Sequence, residues 1–174
     1  MKKLVIICCL GLFASATLLG QDKTNLSDAE IASVAVVANQ IDIEFAEMAI
    51  KKSRNAEILD FAKRMVQDHQ AVIGQASALV SKLGVQPQDN PISQSMLADA
   101  RLTQKELRKA PRKAFDARYI ANEVAYHKAV IEAIRDVLVP NTENGELKEL
   151  LQTVLPALEA HLGHAEMVQK KLGK

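Results

Sequence analysis

Along four stretches of this chain the apolar residues recur in alternating steps of three and four, the period of an α-helix that buries one stripe. From about Asp28 to Ser53 they are Ile31, Val34, Ala38, Ile41, Phe45 and Met48. From about Ala56 to Leu83 they are Ile58, Phe61, Met65, Val72, Ala76, Leu79 and Leu83. The third stretch, about Phe115 to Val139, carries Ile120, Val124, Ile131, Ile134 and Leu138, and the fourth, about Glu146 to Leu172, carries Leu147, Leu151, Val154, Leu158, Leu162, Ala165, Val168 and Leu172. Such stripes can be covered only by one another. Aromatic residues make up 3% of the chain and tryptophan is absent, so its core must be built from aliphatic helix faces.

The connections set the arrangement. Only "SRN" separates the first two stretches, which makes them an antiparallel hairpin. Ser27 or Asp28 can cap the first helix, and Gly84 can stop the second. Val85 to Lys113 is polar and contains three prolines; about thirty residues are too many for a bare loop in a compact domain, so this segment is expected to cross over and hold a short helix from about Ser93 to Ala110, capped at Ser93. Pro140 and "NTENG" end the third stretch, and Pro156 is expected to kink the fourth. The fold class is all-α: a four-helix bundle with a long crossover segment carrying a short extra helix between helices two and three.

The first residues, "MKKLVIICCLGLFASATLLGQDK", have two lysines, an apolar run from Leu4 to Leu19, then a small residue and a polar stretch. That is the pattern of a secretory signal peptide, so residues 1–20 are assigned to export and 21–174 to the bundle domain. The run is shorter than the ~20 apolar residues that span a bilayer comfortably, and no membrane span is expected in the mature chain. Cleavage after Gly20 would remove Cys8 and Cys9, and with them any disulfide, thiolate ligand or cysteine nucleophile. Without Lys2 and Lys3 the basic residues fall from 22 to 20, against 21 acidic ones, in mixed order; no footprint for nucleic acid appears. Nothing in the sequence excludes a homo-oligomer.

Polar groups interrupt the stripes at one height. At about 100° per residue, His127 lies within roughly 20° of Ile120 and Ile134, His161 about 20° from Val154 and Val168, and His69 about 40° from Met65. Glu44 flanks the first stripe between Ile41 and Met48, and Asp68 flanks the second on the side opposite His69. At ~1.5 Å rise per residue these groups fall about 15–21 Å from one end, provided the crossover runs lengthwise. Imidazole and carboxylate are the donors that zinc, iron, copper and manganese take, and bundle cores are where such sites are assembled. The candidate metal ligands are therefore Glu44, His69, His127 and His161, with Asp68 and Glu123 as further candidates and one ion such as iron or zinc as the cofactor. His164 falls at the rim.

The segments "FAKRMVQDHQ", "FDARYIANEVAYHKAVI" and "LPALEAHL" resemble the exported bacterial family called domain of unknown function 4142, placed among ferritin-like four-helix bundles. The resemblance covers Asp28 to the C-terminus. It implies a ferritin-like fold and a place in the periplasm or cell envelope, and it matches Glu44, Asp68, His69, Asp116, Tyr119, His127 and His161 to recurrent polar positions. It implies no activity. Di-iron bundles use Glu-x-x-His on two helices, but Val66, Val124 and Leu158 stand three residues before His69, His127 and His161. The first reading is thus a bundle that binds a metal at one histidine-rich site without a catalytic assignment. The alternatives are a structural or interaction bundle with a metal-free His/Asp/Glu network, and a metal-dependent oxidoreductase.

Overall fold

The structure, a computed structural model, describes residues 25–173. The proposed signal peptide and both cysteines lie outside these residues. The described chain is helical with no strand: α1 (Asp28–Lys52), α2 (Ala56–Leu83), α3 (Pro91–Lys109), α4 (Arg112–Ala133) and α5 (Gly145–Leu172). Ile134–Leu138 form a π turn after α4, and Val139–Asn141 add a last α turn. No helix among the described residues is long and apolar enough to cross a membrane.

Local chemistry sets the boundaries. Ser27 and Glu30 cap α1 reciprocally: the Ser27 hydroxyl accepts from the Glu30 amide, and the Glu30 carboxylate accepts from the Ser27 amide at 2.9 Å. Asn55 caps α2, and Gly84 ends it at φ 65°, a left-handed conformation open to glycine at little cost. The crossover helix is a little longer than expected and starts earlier. Asn90, not Ser93, is its cap, Pro91 takes the first helical position where a missing amide costs nothing, and Ser93 completes the capping box. The helix before Pro140 also runs past it, to Asn141. The Pro140 ring must avoid the carbonyl four residues back, and the wider π turn supplies the room, with the Val139 amide reaching the Ile134 carbonyl. Helix α5 passes through Pro156 as one element.

Contacts at the helix ends fix the directions. At one end, which we call the lower, the Glu143 and Asn144 amides donate to the Asp28 carboxylate (3.0 and 2.9 Å), and the Gln88 amide donates to the Ala29 carbonyl. At the upper end, the Lys52 ammonium donates to the Leu107 and Arg108 carbonyls, and Lys171 pairs with Glu57. Helices α1, α3 and α5 therefore run upward and α2 and α4 downward. The parallel run of α2 and α4 requires the lengthwise crossover, and α3 supplies it while packing on α1. Helix α1 packs chiefly on α2 and α4 on α5, while α2–α5 and α1–α4 contacts close the ring.

The core comes in two parts. The upper holds Ile41, Phe45, Ile58, Phe61, Met65, Phe115, Tyr119 and Ile120; the lower holds Ile31, Val34, Ile131, Ile134, Leu138, Leu147, Leu151 and Leu158. Between them lies a polar layer of buried Asp42, His69, Glu123, His127 and His161.

Candidate functional site

Three helices each put one imidazole into that layer: α2 gives His69, α4 His127 and α5 His161. The ring centroids stand 5.8, 5.4 and 5.5 Å apart, close to an equilateral triangle. One nitrogen from each lies within 4.8 Å of the others.

Each ring is held by a bond to its other nitrogen, and those bonds fix the tautomers. His69 Nδ1 is 2.7 Å from Asn39 Oδ1, whose amide nitrogen is committed to the Ala35 carbonyl, so His69 must carry its proton on Nδ1. His127 Nδ1 donates to the Glu123 carbonyl at 2.9 Å. His161 Nε2 donates to Asp68 Oδ2 at 2.9 Å. The remaining nitrogens, His69 Nε2, His127 Nε2 and His161 Nδ1, are buried and have no hydrogen-bond partner within the protein. A neutral ring whose N–H is tied to an acceptor presents a bare lone pair at its far nitrogen, the arrangement that orients metal-binding histidines.

A carboxylate faces two of these lone pairs. Asp42 is fully buried on α1, with Oδ2 3.5 Å from His69 Nε2 and 3.6 Å from His127 Nε2. Neither carboxylate oxygen has a hydrogen-bond partner. Those distances are too long for good hydrogen bonds. They match the edge, about 3.4 Å, of a tetrahedron whose metal–ligand bonds are about 2.0–2.1 Å. Above the triangle, Glu123 is also fully buried, and Asp42, Glu123 and His127 form a second group of donors within 4.8 Å. The Tyr119 hydroxyl is buried without a partner too, whereas Tyr126 donates to the Ala38 carbonyl at 2.8 Å.

Burial sets the charges. It pushes the Asp42 carboxyl up to about 8, and, with Asp42 nearby, raises Glu123 well above the usual range. Burial, together with the neighbouring rings, holds His69 down to about 3; it holds His127 down to about 4 and lowers His161 despite its bond to Asp68. At neutral pH all three rings are thus neutral, the form in which imidazole takes a metal.

His69, His127 and His161 come together as their stripes require, Asp68 orients His161 from the rim, and Glu123 sits in the layer. Glu44 does not join them. It lies half-buried on another side of α1, accepting from Gln104 Nε2 at 2.7 Å in a crevice with Glu47, Lys51 and Arg108. At about 200° from Asp42 around the helix, it faces away from the rings. Asp42, which takes its place, escaped a reading that gave α1 a single stripe. Its neighbours on its own face are Ala38, Ala46 and Ala49, all buried; that alanine line was the signal that could have found it. His164 is half-buried against the Phe61 ring, 5.2 Å between centroids, outside the cluster.

The fold and its centre define an all-helical protein with a buried histidine–carboxylate layer. Residues 14–168 match the family described as a domain of unknown function (DUF4142), and the chain belongs to that family. No curated protein and no solved structure matches it.

Proposed function

We propose that this chain is an exported ferritin-like four-helix bundle that binds one divalent transition-metal ion, zinc or iron(II), through His69, His127, His161 and Asp42. One observation carries the reading. Three imidazoles from three helices each have one nitrogen tied down, which leaves three bare lone pairs in one layer, two of them 3.5 and 3.6 Å from an unpartnered carboxylate. Leaving so many buried polar atoms unpaired costs on the order of 1–3 kcal/mol each, and a cation would satisfy the three rings and Asp42 together. The donor set, three neutral nitrogens and one oxygen, suits borderline divalent ions. The parallel α2 and α4 with a lengthwise crossover support the ferritin-like arrangement; the missing Glu-x-x-His pairs argue against a di-iron centre. Export rests on the N-terminal sequence pattern alone.

The test is metal content and metal-dependent melting of the purified protein, in the wild type and in His69→Ala/His127→Ala/His161→Ala. One equivalent of zinc or cobalt(II) should bind the wild type and, at 100 times its Kd, add about 2.7 kcal/mol of stability. For a domain of this size that raises Tm by roughly 5–10 °C. The triple variant should lose the metal-dependent rise. If wild type and variant respond alike to added metal, the layer is a hydrogen-bonding network that sets the register of the helices and nothing more.

A further inference from the structure

Below the histidine layer the core is hollow. A cavity of about 350 Å³ runs between the α1/α2 and α4/α5 hairpins, bounded by the rings at the top and reaching Leu147 at the bottom. Along α5 the lining residues extend from Leu147 to His161, roughly 21 Å of helix axis. Its volume falls in the range of small-molecule sites. It is more than twice the apolar cavity of about 150 Å³ that takes up benzene.

The wall is aliphatic. Ala35 on α1, Val72 and Val80 on α2, Val130 on α4, Val137 in the π turn after it and Val154 on α5 all line it and are all only partly buried. Interiors otherwise pack to crystal-like density, and a void of this size forfeits contacts that a fold has every reason to fill. No lysine or arginine lines it. Its inner polar groups gather at the top, where Asp42 and the three rings stand; Gln75 and Thr153 are exposed and mark a mouth between α2 and α5.

Charge selects the head group, and this step rests on the metal reading above. A divalent ion and ionised Asp42 leave one positive charge in the layer, beside a cavity whose one other lining carboxylate is Asp68, paired with His161. The Asp68 side chain is about a third exposed, and solvent meets its charge. Buried net charge is costly, and a single carboxylate on the cavity side would neutralise it while adding a fifth ligand to the three rings and Asp42. We propose that the cavity binds an aliphatic carboxylate, its chain lying along the bundle axis and its head on the metal at the histidine layer.

The experiment titrates decanoate, below its micelle concentration, into zinc-loaded and metal-free protein by calorimetry, with hexanoate and decanol as controls. Decanoate should bind zinc-loaded protein one to one and at least tenfold more tightly than hexanoate, since each buried methylene contributes about fourfold. Decanol, and decanoate with metal-free protein, should bind at least tenfold more weakly. Ala133→Phe, which puts a ring on the cavity wall, should abolish decanoate binding and leave the zinc titration unchanged. Zinc uptake without saturable decanoate binding, or decanoate binding indifferent to chain length or to Ala133→Phe, overturns the inference and leaves the metal reading standing. Decanol binding as tight as decanoate overturns the carboxylate head. Failure of the zinc titration itself, visible before any decanoate is added, overturns the metal reading and the head group with it.

Discussion

Asp42 decides what the site can be. Three histidines alone are three acceptors without a donor, whereas a buried carboxyl among them is either a stored proton or a ligand. If it is a ligand, Asp42→Asn should weaken zinc binding at least tenfold while Glu44→Gln leaves it unchanged, as measured by competition with a chelator. Equal affinities for Asp42→Asn and wild type would remove Asp42 from the site. Its raised pKa also makes stability depend on pH in the metal-free protein. Asp42 keeps its proton in the fold up to about 8 but loses it near 3.8 in the unfolded chain, so its contribution falls as pH rises through that window. Glu123 acts in the same sense. The histidines act oppositely: their rings stay neutral in the fold and protonate below 6.5 in the unfolded chain, so their contribution grows with pH and is complete above 6.5. Between pH 6.5 and 8 only the carboxyl slope remains, about 1.4 kcal/mol per pH unit for each group. Metal-free protein should therefore melt lower at pH 8 than at pH 6.5, and Asp42→Asn should reduce that difference. A flat profile would mean that Asp42 is ionised throughout. The three histidines were legible because His127 and His161 stand near the middle of stripes built from large apolar side chains and His69 stands on the inner edge of its own. Asp42 was not, because α1 is enclosed by α2, α3 and α4 and buries several faces at once, some of them lined only by alanine and serine.

At the scale of helices, capping was legible and backbone exceptions less so. Ser27, Gly84 and the three-residue link could be read directly, since each is a local rule with a named residue. The true start of the crossover helix at Asn90 competed with a plausible cap three residues on, and both residues serve: Asn90 caps and Ser93 closes the box. Asn90 does more than cap, donating also to the Glu30 and Gln88 carbonyls while 2% exposed. It ties the start of the crossover to α1. Asn90→Ala should cost about 1–2 kcal/mol, at the upper end for a cap, and lower Tm by roughly 3–6 °C. Ser27→Ala, at an exposed end, should cost less. If the two variants melt alike, the ties to Glu30 and Gln88 contribute nothing.

For the whole molecule, the sequence determined the helices and their pairing but left the crossover's direction open, because depth along a bundle is nearly the same for either topology at mid-height. Contacts 115 and more residues apart, such as the Glu143 and Asn144 amides on Asp28, settle it, and no local pattern announces them. Nor could a stripe reveal the cavity: valines such as Val72 and Val154 read as core whether or not anything packs on them. The two halves of the molecule should accordingly differ in rigidity. Hydrogen exchange should be slower for amides of Ile41–Ala49 and Tyr119–His127, beside the aromatic core, than for Val34–Ala38 and Ile131–Leu138, beside the hollow. Uniform protection along α1 and α4 would contradict this division.

The tyrosines give the centre an optical reporter. The chain has two and no tryptophan, so tyrosine emission is not masked by energy transfer to an indole. Both are placed at the polar layer: the Tyr126 ring meets His127 edge-on at 6.4 Å, and the Tyr119 hydroxyl is buried close enough to Asp42 and Glu123 to feel their charge. A paramagnetic ion seated among the histidines would quench most of the protein's own fluorescence, and zinc would not, so the occupant could be told apart in solution without attaching a dye.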